Sequence, residues 1–314
     1  MLFGVAVLSL RLGSTVLSFT EFWGGLTNCD GYKMQSVIIY SLRLPRVLAG
    51  VVAGFGLSLS GTLLQRVTGN SLASPNVLGI NAGAGFFVIL SLYAWPLSFK
   101  LSPVFAFFGA LISTITVLFI NLRSRLDKTT VVLSGVAVSA LFQAGISFFS
   151  VLDSDVLTSY ADFSVGGLSG VTYDDILLPS GIIAVCFLAA VLLGRNIRLL
   201  CLGDSLAFSL GVNVKRVRML ALIVAAASAA AAVSFAGLLG FVGLIVPHCA
   251  RRLAKNSTMG ELLLSPVMGG ILVVVADLLG RIAFAPSEVP VGIFTALLGV
   301  PFFLYLVKEG RSNA

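Results

Sequence analysis

The chain of 314 residues is too apolar for a soluble globular domain, because 58% of its residues are hydrophobic and only 11% are charged, whereas soluble domains have about 45–50% and about 25%. The mean hydropathy of +1.05 predicts a polytopic membrane protein. The net charge of +7 does not indicate nucleic-acid binding, since the basic residues punctuate apolar segments as loops beside membrane helices do.

Ten apolar segments follow one another along the chain, and a bilayer-spanning helix needs about 20 such residues. They are residues 1–19, 46–65, 77–96, 101–121, 131–151, 176–194, 217–236, 238–251, 263–284 and 291–307. Alternating segments of strand length are missing, so we predict an all-α polytopic protein with about ten transmembrane helices. The eighth segment is short and is expected to be tilted or broken. We predict one transmembrane domain over residues 1–314.

The distribution of lysine and arginine predicts the orientation. If both termini share one side, that side holds 14 of the 20 basic residues: Arg66, Arg123, Arg125, Lys128, Arg195, Arg198, Lys215, Arg216, Arg218, Arg251, Arg252, Lys255, Lys308 and Arg311. The other side holds Arg11, Lys33, Arg43, Arg46, Lys100 and Arg281. The positive-inside rule therefore predicts that both termini are cytoplasmic. Arg43 and Arg46 then lie on the outer side, where basic residues are fewer. The positive-inside rule therefore does not explain why arginines occur at these two positions.

Glycines recur at close spacing in several of these segments. They are Gly50, Gly54, Gly61, Gly79, Gly83, Gly269 and Gly270. Such spacing lets helix backbones approach closely in lipid, so we predict tight helix packing at these positions.

The sequence carries no motif for nucleotide hydrolysis or nucleophilic catalysis. There is no GxxxxGK[ST] loop, and the glycine-rich run 79–85 lacks the lysine and the preceding strand of one. His248 is the only histidine, which argues against a catalytic triad and a histidine-rich metal centre. The four cysteines form no CxxC pair and are interpreted as isolated packing residues. We predict that the chain is not an enzyme and binds no metal or cofactor itself.

Asp277 and Arg281 are four residues apart in the ninth segment and share one helix face. Ionisable residues in spans are rare and face protein or water. One interpretation is a proton relay or substrate site, and the other is an ion pair within the helix near its outer end, with Arg281 free to reach the surface. We prefer the ion pair for Asp277. A proton-coupled secondary transporter that uses Asp277 is kept as the alternative function.

The longest predicted cytoplasmic connection, about residues 195–218, is amphipathic. Leu199, Leu200, Leu202, Leu206 and Leu210 alternate there with Asp204, Ser205 and Ser209. Short helices with apolar faces are predicted in this loop, and such helices need a partner surface or a membrane interface. We therefore expect a soluble cytoplasmic partner to dock on it.

Four long motifs then coincide, in order, along almost the whole chain. They are LRLPRVLAGVVAGFGLSLSGTLLQRVTGNSLASPNVLGINAGAG, LGDSLAFSLGVNVKRVRMLAL, GFVGLIVPHCARRL and ADLLGRIAFAPSEVPVGIFTALLGVPFFLYL. From about residue 10 to 308, the chain resembles the FecCD-type permease family of ABC importers for iron–siderophore, haem and cobalamin. The resemblance implies the ABC type II importer transmembrane fold, in a bacterial cytoplasmic (inner) membrane.

The resemblance also implies partners. Two permease copies would form a homodimer, or a heterodimer with a close relative, around the translocation path in the lipid bilayer. Two subunits that bind ATP and Mg²⁺ would lie beneath the dimer, and an extracytoplasmic binding protein would deliver the ligand. The expected function is then import of an iron–siderophore complex, haem or cobalamin, driven by ATP hydrolysis on the partner subunits, with iron–siderophore favoured.

Site residues are implied in the same way. In the family, the loop matching residues 200–214 forms coupling helices on the ATPase, and its candidate contacts here are Leu202, Gly203, Asp204, Leu210, Gly211 and Val212. Phe208 stands where the family often has arginine, and Asp204 where glutamate is usual. A cytoplasmic gate is carried over to Lys128, Thr129 and Thr130.

Arg43, Arg46 and Arg281 match arginines at the outer mouth of the family's cobalamin importer. There they meet acidic residues on the two lobes of the binding protein, so docking is the implied role of the three arginines. For Arg43 and Arg46 the alternative is interfacial snorkelling that fixes the depth of the helix.

Overall fold

The computed structural model describes residues 1–312 except 14, 16, 28, 30, 96–98 and 122–127, and these residues form helices and connecting loops without a strand. The helices are α1 (Leu2–Arg11), α2 (Phe19–Leu26), α3 (Lys33–Val37), α4 (Leu44–Thr68), α5 (Ile80–Ala94), α6 (Ser102–Asn121), α7 (Lys128–Leu152), α8 (Ser154–Val165), α9 (Tyr173–Leu200), α10 (Asp204–Ser209), α11 (Val214–Ala236), α12 (Val242–Leu253), α13 (Thr258–Ile282) and α14 (Val291–Ser312). Short 3₁₀ turns, Pro75–Leu78 and Phe99–Leu101, precede α5 and α6.

Nine of the ten predicted segments correspond to one principal helix each, and the first does not. The predicted span 1–19 is wrong, because α1 ends at Arg11 and α2 begins at Phe19. A capping box starts α2: Ser18 Oγ accepts from the amide of Glu21, while the Glu21 carboxylate accepts from the Ser18 amide. These hydrogen bonds lower the pKa of Glu21. Within the described residues, six helices are long and apolar enough to cross a membrane, and shorter apolar helices accompany them.

The second span is longer than predicted, since helical structure begins at Lys33 rather than near residue 46. α3 continues through a π-helical turn, Ile38–Arg43, directly into α4. Pro45, at the start of α4, has no amide hydrogen to donate. In the widened turn before it, the amide of Leu44 donates to the carbonyl of Ile39, five residues back. The proline is thus accommodated without ending the helix.

α4 is the central helix of the bundle and packs chiefly against α13 and α11, with α12 and α9 beside them. In the most apolar stretch of the α3–α4 helix, 78% of the residues are buried, whereas only 28% are buried in the corresponding stretches of α7 and α9. α7 and α9 instead turn large apolar side chains outward, among them Leu141, Phe148, Leu188 and Leu192. This distribution is expected of helices whose outer faces meet lipid.

Glycines make the closest helix contacts, as predicted from their spacing. Gly54 of α4 faces Gly269 of α13, and a Cβ on either would overlap the backbone carbonyl of the other. Gly83 of α5 and Gly109 of α6 form a second reciprocal pair, where a Cβ on either would lie 2.5 Å from the other's carbonyl oxygen. The backbones of the paired helices are therefore in direct contact at these crossings.

Candidate functional site

The three predicted arginines come together at one end of the bundle, where we call Arg43, Arg46 and Arg281 the arginine cluster. Arg43 and Arg46 stand at the start of α4, and Arg281 stands in the last turn of α13. Because α4 and α13 run antiparallel, these turns are adjacent. All three arginines line a cavity of about 500 Å³, with Glu288 from the connection after α13.

Two carboxylates bind two of these arginines. Asp277 Oδ1 lies 2.9 Å from Arg46 Nη2, and Asp277 Oδ2 lies 3.0 Å from Arg281 Nε one helical turn away. The predicted ion pair within α13 is therefore confirmed, and it has Arg46 as a third member. Arg46 Nη1 also donates to Glu288 Oε2 at 2.6 Å. The side chain of Asp277 is only 3% exposed, so it depends on these partners for its solvation.

Arg43 and Arg281 donate chiefly to the end of α1, and Arg43 Nη2 donates to the segment that follows it. Arg43 Nη1 donates to the carbonyl oxygens of Leu10 and Arg11, each at 2.8 Å. Arg281 Nη1 donates to the carbonyl oxygen of Ser9 at 3.3 Å, and Arg281 Nη2 donates to Ser9 Oγ. Carbonyls in the last turn of a helix have no partner within it, and cations are favoured there. The two guanidinium groups thus cap the carboxyl end of α1.

The three arginines differ in how far they are exposed to solvent. Arg43 and Arg281 are 6% and 3% exposed, so in this structure neither guanidinium snorkels to water. The prediction that Arg281 is free to reach the surface is therefore wrong, because Asp277 and the end of α1 hold its side chain inside the bundle. Arg46 pairs with Glu288, whose side chain is 32% exposed, and it is the member nearest the surface.

A second charged cluster lies at the opposite ends of α4 and α13. The carboxylate of Glu261 is fully buried and accepts from Arg66 Nε at 2.7 Å. It also accepts from Arg251 Nε and Nη2, each at 3.1 Å. Gln65 accepts from Arg251 and donates to the carbonyl of Leu244. One buried carboxylate therefore joins α4, α12 and α13.

The two clusters are separated by the length of a membrane span. Arg46 and Arg66 are 20 residues apart on α4, which at 1.5 Å per residue is about 30 Å. The hydrocarbon core of a bilayer is also about 30 Å thick. The charged groups thus lie where both faces of a membrane would meet the protein, with an apolar helix between them.

The predicted loop 195–218 is shorter in the structure, because α9 continues to Leu200 and α11 begins at Val214. The loop 201–213 contains one short helix, α10, where several short helices were predicted. Gly203 and Gly211 flank it with φ of 109° and 82°, a backbone region that favours glycine. Leu202, Leu206, Phe208 and Leu210 are exposed, and Val212 is buried. The loop therefore presents apolar side chains outward without covering them itself.

Asp204 forms an ion pair that connects this loop to α11. Both of its carboxylate oxygens accept from Arg218 Nη2, at 2.8 and 2.9 Å. Arg218 belongs to the first turns of α11 and is 3% exposed. The loop is thus fixed to a buried helix by a charged hydrogen-bonded pair.

The predicted gate residues lie in the first turn of α7. Thr129 is exposed and Thr130 is half-buried, and the carbonyl of Thr130 accepts from Ser134 Oγ at 2.8 Å. The side chain of Lys128 lies outside the described residues, as do Arg123 and Arg125 from the charge count. The gate stays a prediction.

Sequence reasoning missed Glu261, Glu288 and the capping of α1. Glu261 did carry a signal, since it is a lone acid at the start of an apolar run and such residues need a partner. The partners of Arg43 gave no signal, because they are backbone carbonyls and the hydroxyl of Thr15, about 30 residues away in sequence.

Comparisons with known proteins find similarity to transport permeases over almost the whole chain. Residues 1–309 match the model of the FecCD transport family. The Fe(3+)-citrate import system permease protein YfmD of Bacillus subtilis (strain 168) is 36% identical over 311 residues, which cover 99% of this chain and 92% of that protein. The hemin transport system permease protein HmuU of Yersinia pestis is 35% identical over 319 residues, which cover 98% and 93%.

A solved structure is similar as well. It is described as an inward-facing conformation of a metal-chelate type ABC transporter, and it superposes on this chain with a TM-score of 0.85 at 27% sequence identity. The superposition covers 98% of this chain and 96% of that one.

Proposed function

Since the chain belongs to the FecCD transport family, whose members are transport permeases rather than enzymes, we propose that it imports an iron chelate in an ATP-driven transporter. The all-helical permease fold of that family is confirmed. The observation that carries the proposal is the full-length superposition on a metal-chelate ABC transporter. We further propose that the chain is one permease domain in a bacterial cytoplasmic membrane, with both termini in the cytoplasm.

The two ends of the bundle are then assigned to two partners. We propose that the loop 201–213 docks on an ATP-hydrolysing subunit in the cytoplasm, because its exposed leucines and Phe208 need an apolar surface. At the other end, the arginine cluster would receive acidic residues of an extracytoplasmic binding protein. Two permease copies, two ATPase subunits and one binding protein would complete the transporter.

The proposed substrate is an iron complex of citrate or of a siderophore, or haem. Relatives of nearly equal identity are named for ferric citrate and for hemin, so similarity to them does not separate these ligands. We favour an iron–siderophore complex, as the family resemblance of the sequence implies.

Uptake into proteoliposomes tests the proposal. The chain is reconstituted with the ATPase and binding protein of its own transporter, and radiolabelled ferric citrate, a ferric hydroxamate and haem are supplied in separate arms. We expect uptake of one of them that requires ATP hydrolysis and the binding protein, and that persists after an uncoupler collapses the proton gradient. Uptake that needs no ATPase, follows the proton gradient and is lost in Asp277→Asn would establish the alternative secondary transporter.

Docking at the arginine cluster has its own test. Arg46→Glu should weaken capture of the binding protein, because Arg46 is the cluster member nearest the surface. The loss should be largest at low salt, since exposed charges are screened within about 10 Å at 0.1 M ionic strength. Lys100→Glu, a charge reversal at an exposed residue predicted to lie on the same side, is the matched control. Equal binding by both variants would contradict the assignment.

A further inference from the structure

We propose that Glu288 is an internal competitor for the binding protein. In the permease without its binding protein, the Glu288 carboxylate occupies the outer edge of the Arg46 guanidinium, and docking exchanges it for a carboxylate of the partner. Glu288 thus lowers the affinity of docking. This inference rests on the proposed function, because it takes the arginine cluster to be the docking site.

The two edges of the Arg46 guanidinium bind different carboxylates. On the inner edge, Arg46 Nε donates to both oxygens of Asp277, at 2.9 and 3.2 Å, and Nη2 lies 2.9 Å from Oδ1. On the outer edge, Nη1 donates to Glu288 Oε2 at 2.6 Å. Because Glu288 is the more exposed of the two acids, the outer edge is the one that a partner can reach. A carboxylate of the chain itself already occupies it.

Glu288 is the exchangeable member of the two acids. Its side chain is 32% exposed, whereas that of Asp277 is 3% exposed. Asp277 also binds Arg281, while among the described residues Arg46 is the only base in salt-bridge contact with Glu288. An exposed pair contributes little because water replaces each partner, whereas breaking a buried pair leaves an uncompensated charge. Docking therefore releases Glu288 and leaves Asp277 in place.

The connection from α13 to α14 releases this side chain without losing its own structure. It is exposed around Glu288 and contains no helix there. The amide of Val289 donates to the carbonyl of Gly280 at 3.0 Å, and the amide of Gly292 donates to the carbonyl of Gly166 at 3.1 Å. Neither backbone hydrogen bond involves Glu288. Rotation of the Glu288 side chain therefore breaks its ion pair and leaves these bonds intact.

Space and charge at the pair suit an incoming carboxylate. The cavity of about 500 Å³ at the arginine cluster and a second cavity of about 340 Å³ are both lined by Arg46 and Glu288, so an acidic side chain has room beside the pair. The three arginines with Asp277 and Glu288 leave one positive charge on the cluster. Exchange of Glu288 for a partner carboxylate keeps that charge constant. Without Glu288 the cluster carries two positive charges and attracts an acidic partner more strongly.

Binding of the permease in nanodiscs to its immobilised binding protein, without ligand, tests the competition. Glu288→Gln should tighten binding about fivefold at low salt, which is about 1 kcal/mol at 1.4 kcal/mol per tenfold, the upper end for an exposed ion pair. The matched control is Asp174→Asn, which removes the same charge at an exposed residue on the same predicted side and should change the affinity far less. An unchanged or weaker affinity in Glu288→Gln would overturn the proposal.

A double-variant cycle separates occupancy of Arg46 from the general charge of the surface. In the Arg46→Gln background, Glu288→Gln should give no increase in affinity, because no guanidinium is left to be freed. An equal increase in both backgrounds would show that Glu288 acts by long-range repulsion, and the competition would then be wrong. Thermal unfolding of each variant in one detergent verifies that the fold is retained.

A measurement on the permease alone distinguishes this inference from the proposed function. Modification of Arg46 by phenylglyoxal, followed by mass spectrometry, should be faster in Glu288→Gln than in Asp174→Asn, because only the first variant frees Arg46 Nη1. Equal rates would overturn the occupancy of Arg46 whatever the partner is. Faster modification in Glu288→Gln, together with a wild-type permease that captures no binding protein, would leave the ion pair established but refute the proposed docking site and the competition with it.

Discussion

Replacing Gly83 by alanine tests whether backbone contact between α5 and α6 stabilises the bundle. The added Cβ would lie 2.5 Å from the carbonyl oxygen of Gly109 and 2.6 Å from Ser113 Cβ, whereas ordinary contact begins at 3.4 Å. The helices must therefore separate by about 0.9 Å, the difference between 3.4 and 2.5 Å. Neither obstructing atom is the end of a flexible side chain, so the neighbours cannot yield by changing rotamer.

The expected loss follows from two opposing terms. Overpacking costs about 1–3 kcal/mol, and the rigid neighbours place this site near 3. Alanine favours a helix over glycine by about 1 kcal/mol, which leaves a net loss of about 2 kcal/mol. At about 2.1 cal/mol/K per residue, the unfolding entropy of this 314-residue chain is about 0.66 kcal/mol/K, so the melting temperature should fall by about 3 °C.

Thermal unfolding of the purified protein in one detergent measures the effect. The matched control is Gly181→Ala in α9, where an added Cβ meets no atom within 4 Å. That variant gains helix propensity without a clash and should melt at or above the wild-type temperature. Equal melting temperatures for the two variants would refute the packing argument.

Two further predictions concern charge and pH. Glu261→Gln should destabilise the protein by about 3 kcal/mol, since Arg66 and Arg251 lose a buried counter-ion. The control Glu288→Gln, at a pair nearer the surface, should cost no more than about 1 kcal/mol. Equal shifts in the melting temperature of the two variants would contradict this prediction. Burial raises the pKa of Tyr160 from 10.0 to about 12, so the unfolded chain loses this proton first and stability should fall between about pH 10 and 12. Tyr160→Phe should show a smaller fall in alkaline melts, and an unchanged pH profile would contradict the assignment.

Helix positions were predictable because apolar length and glycine spacing are local signals. α4, α6, α7 and α13 coincide with predicted segments to within a few residues. The helical extension from α4 back to Lys33 was missed, because MQSVIIYSL is short and Pro45 follows it after only two residues. A π-helical turn that carries a helix across a proline has no comparably clear sequence pattern.

The sequence predicted which arginines belong to the candidate site, but it did not predict most of their contacts. Arg43, Arg46 and Arg281 could be grouped from the resemblance, and the Asp277–Arg281 pair from helical spacing. That Arg43 binds carbonyls of α1 is a contact across 32 or 33 positions of the sequence, which no local signal predicts. Arg66 and Arg251 meet Glu261 only because α4, α12 and α13 converge, which is a property of the tertiary fold.

The capping of α1 has a consequence for the order of biogenesis. Ser9 and Arg281 are 272 residues apart, so a ribosome synthesises nearly the whole protein before the second capping guanidinium exists. Arg43 is available early and can retain Leu10 and Arg11 in the meantime. Contacts between such distant residues form late, so α1 is among the last helices to be fixed. A chain terminated before α13 should consequently carry a loosely held α1, because it lacks the contacts of Arg281 with Ser9.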